Sequence, residues 1–379
     1  MNPIIIIGSG LAGYTLARNL RKIDAEVPLL MITQDDGHFY SKPMLSNAFA
    51  QNKTAEQLVT TAAEVISEQL NMTLLTHTQV TEVDCQAKLV KTNKGEFSYR
   101  QLVLAIGADP IRLTLQGDAT EDVLSVNDLQ DYAKFRKALE GVKQVAIIGA
   151  GLIGCEFAND MVSQGITPIV FDPAAYPMSS LLPEFAAKDM IAPLQQAGVQ
   201  WQFGKSVVAV NRVDDGYQLM LSNGEQVVVG LVLSAIGLRP RTTLAKTMGL
   251  VVNRGIVVNA LAQTSDIDIY ALGDCAEYTQ GVLPYVMPIM NVAKALAATL
   301  TGQPQPYDFP PMPVSVKTPA CPVAVQPVAK DRVGRWESYA AEEGEGITLI
   351  FKENDDRITG FVLTGKRVAE RMAMTKLLS

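Results

Sequence analysis

Short runs of apolar residues stand directly before glycine-rich turns at two places in the chain. The runs are residues 3–7 and 144–148, and apolar positions at helical spacing follow each turn, at 11–20 and 152–162. A short apolar run bounded by glycine is typical of a buried strand, and spacings of three and four residues are typical of an amphipathic helix. The pattern therefore predicts two strand–turn–helix units.

Both turns carry the spacing G-x-G-x-x-G. The first consists of Gly8, Ser9, Gly10, Leu11, Ala12 and Gly13, and the second of Gly149, Ala150, Gly151, Leu152, Ile153 and Gly154. Between a strand and a helix, these glycines allow a tight turn, close approach of the backbone to a pyrophosphate, and close packing of the helix on the strand. The positive N-terminus of the helix then favours bound phosphate. Two such units predict two dinucleotides, a pairing that usually serves electron transfer.

The remaining pattern extends each unit into an α/β domain. The first unit has predicted strands at 28–33, 74–84 and 102–106 and a helix at 62–70. The second has predicted helices at 129–139 and 184–196 and strands at 168–171, 207–213, 217–222 and 231–236. Both units close with Ile-Gly-x-x-Pro, at 106–110 and 236–240, which indicates one duplicated architecture. Beyond them we predict strands at 256–258 and 268–271, a helix at 290–300, a proline-rich linker at 303–313, strands at 348–352 and 358–364, and a closing helix at 366–378.

Composition narrows the class of protein. The 379 residues are 48% hydrophobic and 19% charged, which indicates a folded α/β protein with more than one core. The net charge of −7 argues against nucleic acid as a partner, and every apolar run is shorter than the ~18 residues of a membrane span. Residues 3–7 follow no basic segment, so we expect a buried strand rather than a signal peptide. Four scattered cysteines and two isolated histidines predict reduced thiols, a cytoplasmic location and no metal site.

Further motifs resemble a known family. The closures Ala105-Ile106-Gly107 and Ala235-Ile236-Gly237 and the element Leu272-Gly273-Asp274 resemble the two-dinucleotide flavoprotein disulfide reductase superfamily. Residues 40–46, 154–158 and 316–322 are similar to its rubredoxin reductase branch. The resemblance implies an α/β protein with two Rossmann-like domains of the glutathione-reductase-like fold. It implies a FAD-binding domain at 1–112 and 249–312, a NAD-binding domain at 113–248, and a small C-terminal α+β interface domain at 313–379.

For FAD, the resemblance implies that the first fingerprint wraps the pyrophosphate and that Asp274 hydrogen-bonds the ribityl chain. The helix at 290–300 would begin at the flavin, with Val286 and Met287 contributing nearby backbone. An acid usually follows the second strand and binds the adenosine ribose. Here Thr33 and Gln34 stand at the end of the strand and Asp35 follows, so we expect one of these three residues to make that contact. The further FAD contacts that we expect are Lys42, Val80, Ala105, Gly107 and Lys317.

For the nicotinamide dinucleotide, the second fingerprint would hold the pyrophosphate, with Gly237 nearby. Asp172 directly follows the predicted strand at 168–171. A carboxylate in that position accepts a hydrogen bond from the ribose 2′-hydroxyl and repels a 2′-phosphate. No arginine or lysine occurs between Asp172 and Lys188. We therefore predict NADH rather than NADPH.

Three charged residues are candidates for the reaction itself. The resemblance puts Lys42 where related enzymes carry a redox cysteine, so electrons would leave the flavin for an external acceptor or for oxygen. A buried Glu156 requires a partner, and we expect it to pair with Lys42 beside flavin N5 and to orient the nicotinamide. Lys317 would place a cation near the pyrimidine edge, where it stabilises reduced, anionic flavin.

The function implied by the resemblance is NADH-dependent reduction of FAD and transfer of single electrons to rubredoxin, in a setting of alkane hydroxylation. Alternative functions are reduction of a ferredoxin or a flavorubredoxin, or an NADH oxidase activity. Because rubredoxins are small and acidic, we expect docking on a basic face of the closing helix, where Lys366, Arg367, Arg371 and Lys376 outnumber Glu370 and where Arg367 and Arg371 are four residues apart. Lys42 and Lys317 are the alternative source of this attraction. We expect no membrane insertion, and the sequence leaves monomer and homodimer both open.

Overall fold

The computed structural model describes residues 2–329, 331–342 and 344–378 and divides the chain into two units. Unit 1 consists of Met1–Lys42, Glu56–Asp109 and Leu238–Pro310, and unit 2 of Pro43–Ala55, Pro110–Gly237 and Pro311–Ser379. Each unit contains one of the two glycine fingerprints. The predicted NAD-binding and C-terminal domains therefore lie mainly in unit 2, and the predicted FAD-binding segments lie mainly in unit 1.

A five-stranded parallel sheet forms the core of unit 1. Its strands, in spatial order, are Ile269–Ala271, Gln101–Leu104, Ile4–Ile7, Leu29–Ile32 and Thr73–Leu75. Ile4–Ile7 is buried along its whole length and has a parallel partner on both sides, as expected of a central strand. Helix Leu11–Ile23 packs against helix Val286–Leu300. Further helices are Ala63–Gln69 and Thr243–Thr247.

A four-stranded parallel sheet repeats this arrangement in unit 2. Its strands, in spatial order, are Gln200–Phe203, Thr167–Asp172, Gln144–Ile148 and Leu231–Ser234. Counted along the chain, the first four strands of both parallel sheets have the order 3-2-1-4, which is that of a Rossmann half. The helices of this part are Leu129–Ala138, Leu152–Val162, Glu184–Asp189 and Ile191–Ala197. The predicted α/β fold with two Rossmann-like modules is confirmed.

Smaller sheets complete the two modules. Unit 1 has an antiparallel sheet of Val80–Asp84, Leu89–Thr92 and Gly95–Ser98, and the pairs Phe39–Tyr40 with Val59–Thr61 and Ile256–Val257 with Ala276–Glu277. Unit 2 has an antiparallel sheet of Val207–Val213, Gly216–Leu221 and Gln226–Val229. The two closures pair as strands Ala108–Pro110 and Leu238–Pro240. The remaining short elements are helix Ala55–Leu58 and the 3-10 helices Lys42–Asn47 and Thr120–Asp122.

The C-terminal part of unit 2 is a five-stranded antiparallel sheet. Its strands, in spatial order, are Val314–Val316, Val323–Gln326, Ile358–Thr364, Gly346–Glu353 and Gly334–Glu342. The 3-10 helix Gly365–Glu370 and helix Arg371–Lys376 follow, and Met374 packs into the same small core as Phe361 and Leu363. Within the described ranges, no helix combines the length and the apolar character that crossing a membrane requires.

The predicted strand at 74–84 is wrong as a single element. The structure has two strands there, Thr73–Leu75 and Val80–Asp84, and they belong to different sheets. The chain bends between them at His77, whose φ is +46°. A left-handed residue of this kind interrupts an extended strand.

Two predicted helices are also corrected. The helix at 184–196 is broken after Asp189, because Pro193 has no N–H to donate to the Asp189 carbonyl and its ring crowds that group. The closing helix at 366–378 starts as the 3-10 helix Gly365–Glu370 and continues as Arg371–Lys376. Arg367 and Arg371 therefore do not share one face of a continuous α-helix.

Candidate dinucleotide sites and ion pairs

Packing inside unit 1 fixes the first and third glycines of the first turn. Gly8 has a φ of +111°, and a Cβ there would lie 2.3 Å from the Ala105 carbonyl oxygen. A Cβ on Gly13 would lie 2.0 Å from the Gly8 carbonyl oxygen. Gly10 differs, because a Cβ there would meet no protein atom within 4 Å. The space beside Gly10 therefore fits a group from outside the chain, as a pyrophosphate does in such a turn.

The helix after this turn leaves its N-terminus available to an anion. Leu11–Ile23 begins after Gly10 with no side-chain capping hydrogen bond and no acidic residue in its first turn. The first N–H groups of a helix have no partner within it, and the helix dipole adds partial positive charge. Turn and helix together suit the phosphates of a dinucleotide.

Three side chains form a hydrogen-bonded group where the second strand of unit 1 ends. The Ser9 hydroxyl donates to Asp35 Oδ1 over 2.9 Å, and the Thr33 hydroxyl donates to the same oxygen over 2.5 Å. Thr33 is buried, whereas Gln34 and Asp35 are exposed. Asp35 is thus the exposed candidate for the adenosine ribose that contacts the fingerprint.

The Gly273–Asp274 turn lies beside the first fingerprint helix. A Cβ on Gly273 would lie 2.8 Å from the Ala12 Cβ, so only a glycine allows the turn to approach this closely. The Gly273 N–H donates to the Tyr278 hydroxyl oxygen over 3.1 Å and fixes the turn from the other side. Asp274 Oδ2 is 3.7 Å from Lys42 Nζ. Unit 1 therefore brings the fingerprint, Asp274 and Lys42 together.

The other residues predicted to bind FAD lie at the edges of unit 1's elements. Val80 is the first residue of the antiparallel strand Val80–Asp84. Two residues earlier, the Thr78 backbone N–H donates to the Thr33 carbonyl oxygen over 2.8 Å. Gly107 has a φ of +71°, and a Cβ there would meet nothing within 4 Å. Val286 and Met287 begin their helix with exposed side chains. Gly107 thus has unfilled space beside it, and Val286 and Met287 offer exposed apolar surface in unit 1.

The second glycine turn, in unit 2, has the geometry of the first. Gly149 has a φ of +107°, and a Cβ there would lie 2.8 Å from the Ala235 carbonyl oxygen. A Cβ on Gly154 would lie 1.9 Å from the Gly149 carbonyl oxygen, whereas one on Gly151 would meet no atom within 4 Å. Helix Leu152–Val162 also begins without a capping side chain or an acidic first turn. This site fits a second pyrophosphate for the same reasons.

The Asp172 side chain contacts the second glycine turn. Asp172 ends its strand, and its Oδ2 accepts a hydrogen bond from the Ala150 N–H over 2.7 Å. Its Oδ1 accepts another from the Ala174 N–H over 2.8 Å. Ile153 is exposed in the first helical turn, and Gly237 is exposed with a φ of +114°. Asp172, at the end of the neighbouring strand, therefore stabilises the second fingerprint turn by a hydrogen bond.

Glu156 and Lys317 form an ion pair in unit 2 whose carboxylate is buried. The Glu156 side chain is 1% exposed, and its Oε2 is 3.3 Å from Lys317 Nζ. The same carboxylate accepts hydrogen bonds from the Lys317 backbone N–H over 2.8 Å and from the Ser46 hydroxyl. The predicted pairing of Lys42 with Glu156 is therefore corrected: Glu156 pairs with Lys317, and Lys42 pairs with Asp274.

Sequence reasoning missed two residues beside this pair. Asn159 Oδ1 accepts from the Ala320 N–H over 3.0 Å, and the carboxylate oxygens of Asp160 accept from the N–H groups at positions 49 and 50 over 3.0 and 2.9 Å. Burial raises the pKa of Asp160 to about 6, although both N–H donors oppose the shift. With Glu156 they are polar residues at i, i+3 and i+4 in an otherwise apolar helix, and that spacing was the available signal.

The predicted basic face of the closing segment is partly neutralised. Lys366 Nζ is 2.7 Å from Glu345 Oε1, and Arg367 is 2.8 Å from Glu370 Oε1. The second pair joins residues three apart, which eclipse one another in a 3-10 helix. Arg371 donates to a serine hydroxyl over 2.6 Å. Two of the predicted docking cations are thus paired with carboxylates.

Comparison with known proteins decides the family. The pyridine nucleotide-disulphide oxidoreductase family matches residues 2–299. The chain belongs to this family. Residues 306–378 match the rubredoxin binding C-terminal domain. This oxidoreductase is 46% identical to a rubredoxin-NAD(+) reductase of Alcanivorax borkumensis, with 100% of this chain and 99% of the relative covered. It is 44% identical to the enzyme of that name from Acinetobacter baylyi, with 100% and 98% covered.

Two further similarities are informative. A nitric oxide reductase FlRd-NAD(+) reductase of Aeromonas hydrophila is 38% identical, with 99% of this chain and 96% of the relative covered. The ferredoxin reductase of the CYP199A2 system from Rhodopseudomonas palustris shares the fold, with a TM-score of 0.90, 23% identity, and 98% and 93% of the two chains covered. The resemblance to rubredoxin reductases and the oxidoreductase class are therefore confirmed.

Proposed function

We propose that this chain is an NADH-dependent flavoprotein that reduces rubredoxin. The observation that carries the proposal is the combination of two open glycine turns with a C-terminal segment similar to rubredoxin-binding domains. The relatives named rubredoxin-NAD(+) reductase match over the whole chain. When bound, FAD takes up hydride from NADH as an electron pair and releases the electrons singly to an iron protein.

Unit 1 supplies the residues that would hold FAD. The backbone at Gly10 and the helix N-terminus after it receive the pyrophosphate, and Asp35 accepts from the adenosine ribose. Asp274, oriented by Lys42 at 3.7 Å, accepts from the ribityl chain. The exposed side chains of Val286 and Met287 offer apolar surface to the flavin ring.

Unit 2 supplies the residues that would hold NADH. The open space beside Gly151 and the helix after it receive the pyrophosphate. Each oxygen of Asp172 accepts one backbone N–H and retains a lone pair for a ribose hydroxyl. The negative charge of Asp172 disfavours the 2′-phosphate of NADPH.

We assign Glu156, Lys317 and Lys42 to the electron-transfer step. The ammonium group of Lys317 is held in place by Glu156. This almost wholly buried glutamate pairs with the ammonium group and accepts a hydrogen bond from the Lys317 backbone N–H. A fixed cation stabilises negative charge on reduced flavin without reorganisation. Lys42, which pairs with Asp274, would orient the nicotinamide beside the bound flavin.

We place rubredoxin docking on the C-terminal sheet and its closing helices, because this segment is similar to rubredoxin-binding domains. We also propose that the chain is divided into three domains. These are a FAD domain (1–112, 249–312), a NAD domain (113–248) and an interface domain (313–379). We also propose a cytoplasmic location, which four free cysteines support.

A second acceptor is favoured by one observation. The relative from Aeromonas hydrophila carries the name of a flavorubredoxin reductase at 38% identity. Steady-state assays with NADH and equal concentrations of rubredoxin, flavorubredoxin and ferredoxin decide between them. We expect the highest kcat/KM with rubredoxin. A higher kcat/KM with either other protein would replace rubredoxin as the acceptor.

A further inference from the structure

Lys205 is distant from Asp172 along the chain, but its backbone lies beside Asp172 in unit 2. Strand Gln200–Phe203 runs parallel to Thr167–Asp172, and their pairing puts Phe203 opposite Asp172. Two residues later, the Lys205 N–H donates to the Asp172 carbonyl oxygen over 3.3 Å. Lys205 therefore emerges at the sheet edge where Asp172 contacts the second glycine turn.

The ammonium group of Lys205 is held by two neighbours. Its Nζ is 2.6 Å from Glu225 Oε2 and 3.0 Å from Gln202 Oε1. Glu225 directly precedes strand Gln226–Val229, at the end of the turn that follows Gly216–Leu221. The hydrogen bond from Lys205 lowers the pKa of Glu225, so the glutamate is charged at neutral pH. A carboxylate thus neutralises the ammonium group of a lysine whose backbone contacts Asp172.

We propose that Glu225 is a specificity residue, which favours NADH by holding Lys205 away from the adenosine ribose. This inference rests on the proposed function, because it assumes that the second glycine turn binds a nicotinamide dinucleotide. A 2′-phosphate adds about −1.5 to −2 charges to the ribose, by analogy with other phosphate monoesters. A free Lys205 would attract that charge and oppose the repulsion by Asp172. The preference for NADH then depends on two carboxylates, Asp172 directly and Glu225 through Lys205.

The test uses binding of adenosine fragments to the FAD-loaded protein. Isothermal titration calorimetry gives the Kd values of 2′,5′-ADP and 5′-ADP for the wild type, Glu225→Gln, and Glu225→Gln/Lys205→Met. Partly exposed ion pairs are worth up to ~1 kcal/mol, so we expect Glu225→Gln to bind 2′,5′-ADP about fivefold more tightly. The double variant should lose this gain, and the affinity for 5′-ADP should stay constant throughout.

A matched control removes the same charge elsewhere in unit 2. Glu184 pairs with Lys188 at 2.7 Å, and both side chains are more than half exposed. Glu184→Gln should leave both affinities unchanged, which separates a local effect of Lys205 from a change in net charge. The KM for NADPH should fall in Glu225→Gln in parallel with the Kd of 2′,5′-ADP, while the KM for NADH stays constant.

The outcomes distinguish this inference from the proposed function. An unchanged affinity for 2′,5′-ADP in Glu225→Gln, with 5′-ADP still bound, would overturn the role of Glu225 alone. A gain that persists in the double variant would also overturn it, since Lys205 would not be the cause. Failure of the wild type to bind 5′-ADP would overturn both the proposed function and this inference.

Discussion

Deleting the ammonium group of Lys317 should leave a buried charge uncompensated. Lys317→Met retains the aliphatic stem and removes the cation 3.3 Å from Glu156, whose side chain is 1% exposed. Among the described residues, the carboxylate then keeps two neutral donors, the Ser46 hydroxyl and the backbone N–H at position 317. Burying a carboxylate without its cation destabilises the folded state.

The magnitude follows from the burial of the two partners. Removing one member of a fully buried pair costs about 3–5 kcal/mol. The Lys317 side chain is 37% exposed, so water screens part of its interaction, and exposed pairs contribute only about 0–1 kcal/mol. We therefore expect Lys317→Met to lower the free energy of unfolding of unit 2 by about 2 kcal/mol. Glu156→Gln/Lys317→Met should recover part of this loss, because no buried charge is left.

Urea unfolding followed by tryptophan fluorescence measures this loss selectively. Both tryptophans, Trp201 and Trp336, belong to unit 2, so the signal reports the unfolding of that unit. Lys188→Met, which breaks the exposed pair with Glu184, is the matched control and should cost less than about 0.5 kcal/mol. The reasoning is refuted if Lys317→Met destabilises unit 2 no more than Lys188→Met does.

Three other predictions concern pH, hydride transfer and docking. The folded-state pKa of Asp160 is raised from 3.8 to about 6, so this carboxyl group should cost unit 2 about 2 kcal/mol of stability as the pH rises from 4 to 6. Asp160→Asn should remove this part of the pH dependence in urea titrations. Lys42→Ala should slow flavin reduction by NADH in rapid mixing by a larger factor than it weakens FAD binding. If the reduction rate and the FAD affinity fall by the same factor, Lys42 serves FAD binding alone. Arg371→Glu should lower the association rate with rubredoxin at low salt and flatten its salt dependence; an unchanged salt slope would exclude docking at this arginine.

The sequence predicted the local features of both modules well. The second fingerprint helix has its predicted bounds, Leu152–Val162, because glycine spacing and helical periodicity are local properties. The helix predicted to begin at 290 begins at Val286, since Pro288 lies in the first turn, where a missing N–H costs nothing. Splitting of the strand at 74–84 depends on which sheet each half joins, which no local pattern determines.

The partners of the charged residues could not be predicted. Glu156 was expected to be buried and paired, and burial was correct, but its cation is Lys317 rather than Lys42. Lys205 was overlooked because a search along the chain from Asp172 cannot show that a parallel strand returns a lysine to the same sheet edge. Such pairings depend on tertiary contacts between segments more than thirty residues apart.

Electron delivery to rubredoxin is tested most directly by one anaerobic rapid-mixing measurement. The FAD-loaded protein is reduced with one equivalent of NADH and mixed with either oxidised rubredoxin or oxygen, and the return of flavin absorbance gives both reoxidation rates. We expect rubredoxin to reoxidise the flavin much faster than oxygen does, with one flavin consuming two rubredoxins. Reoxidation by oxygen as fast as by rubredoxin would contradict the account and indicate an NADH oxidase.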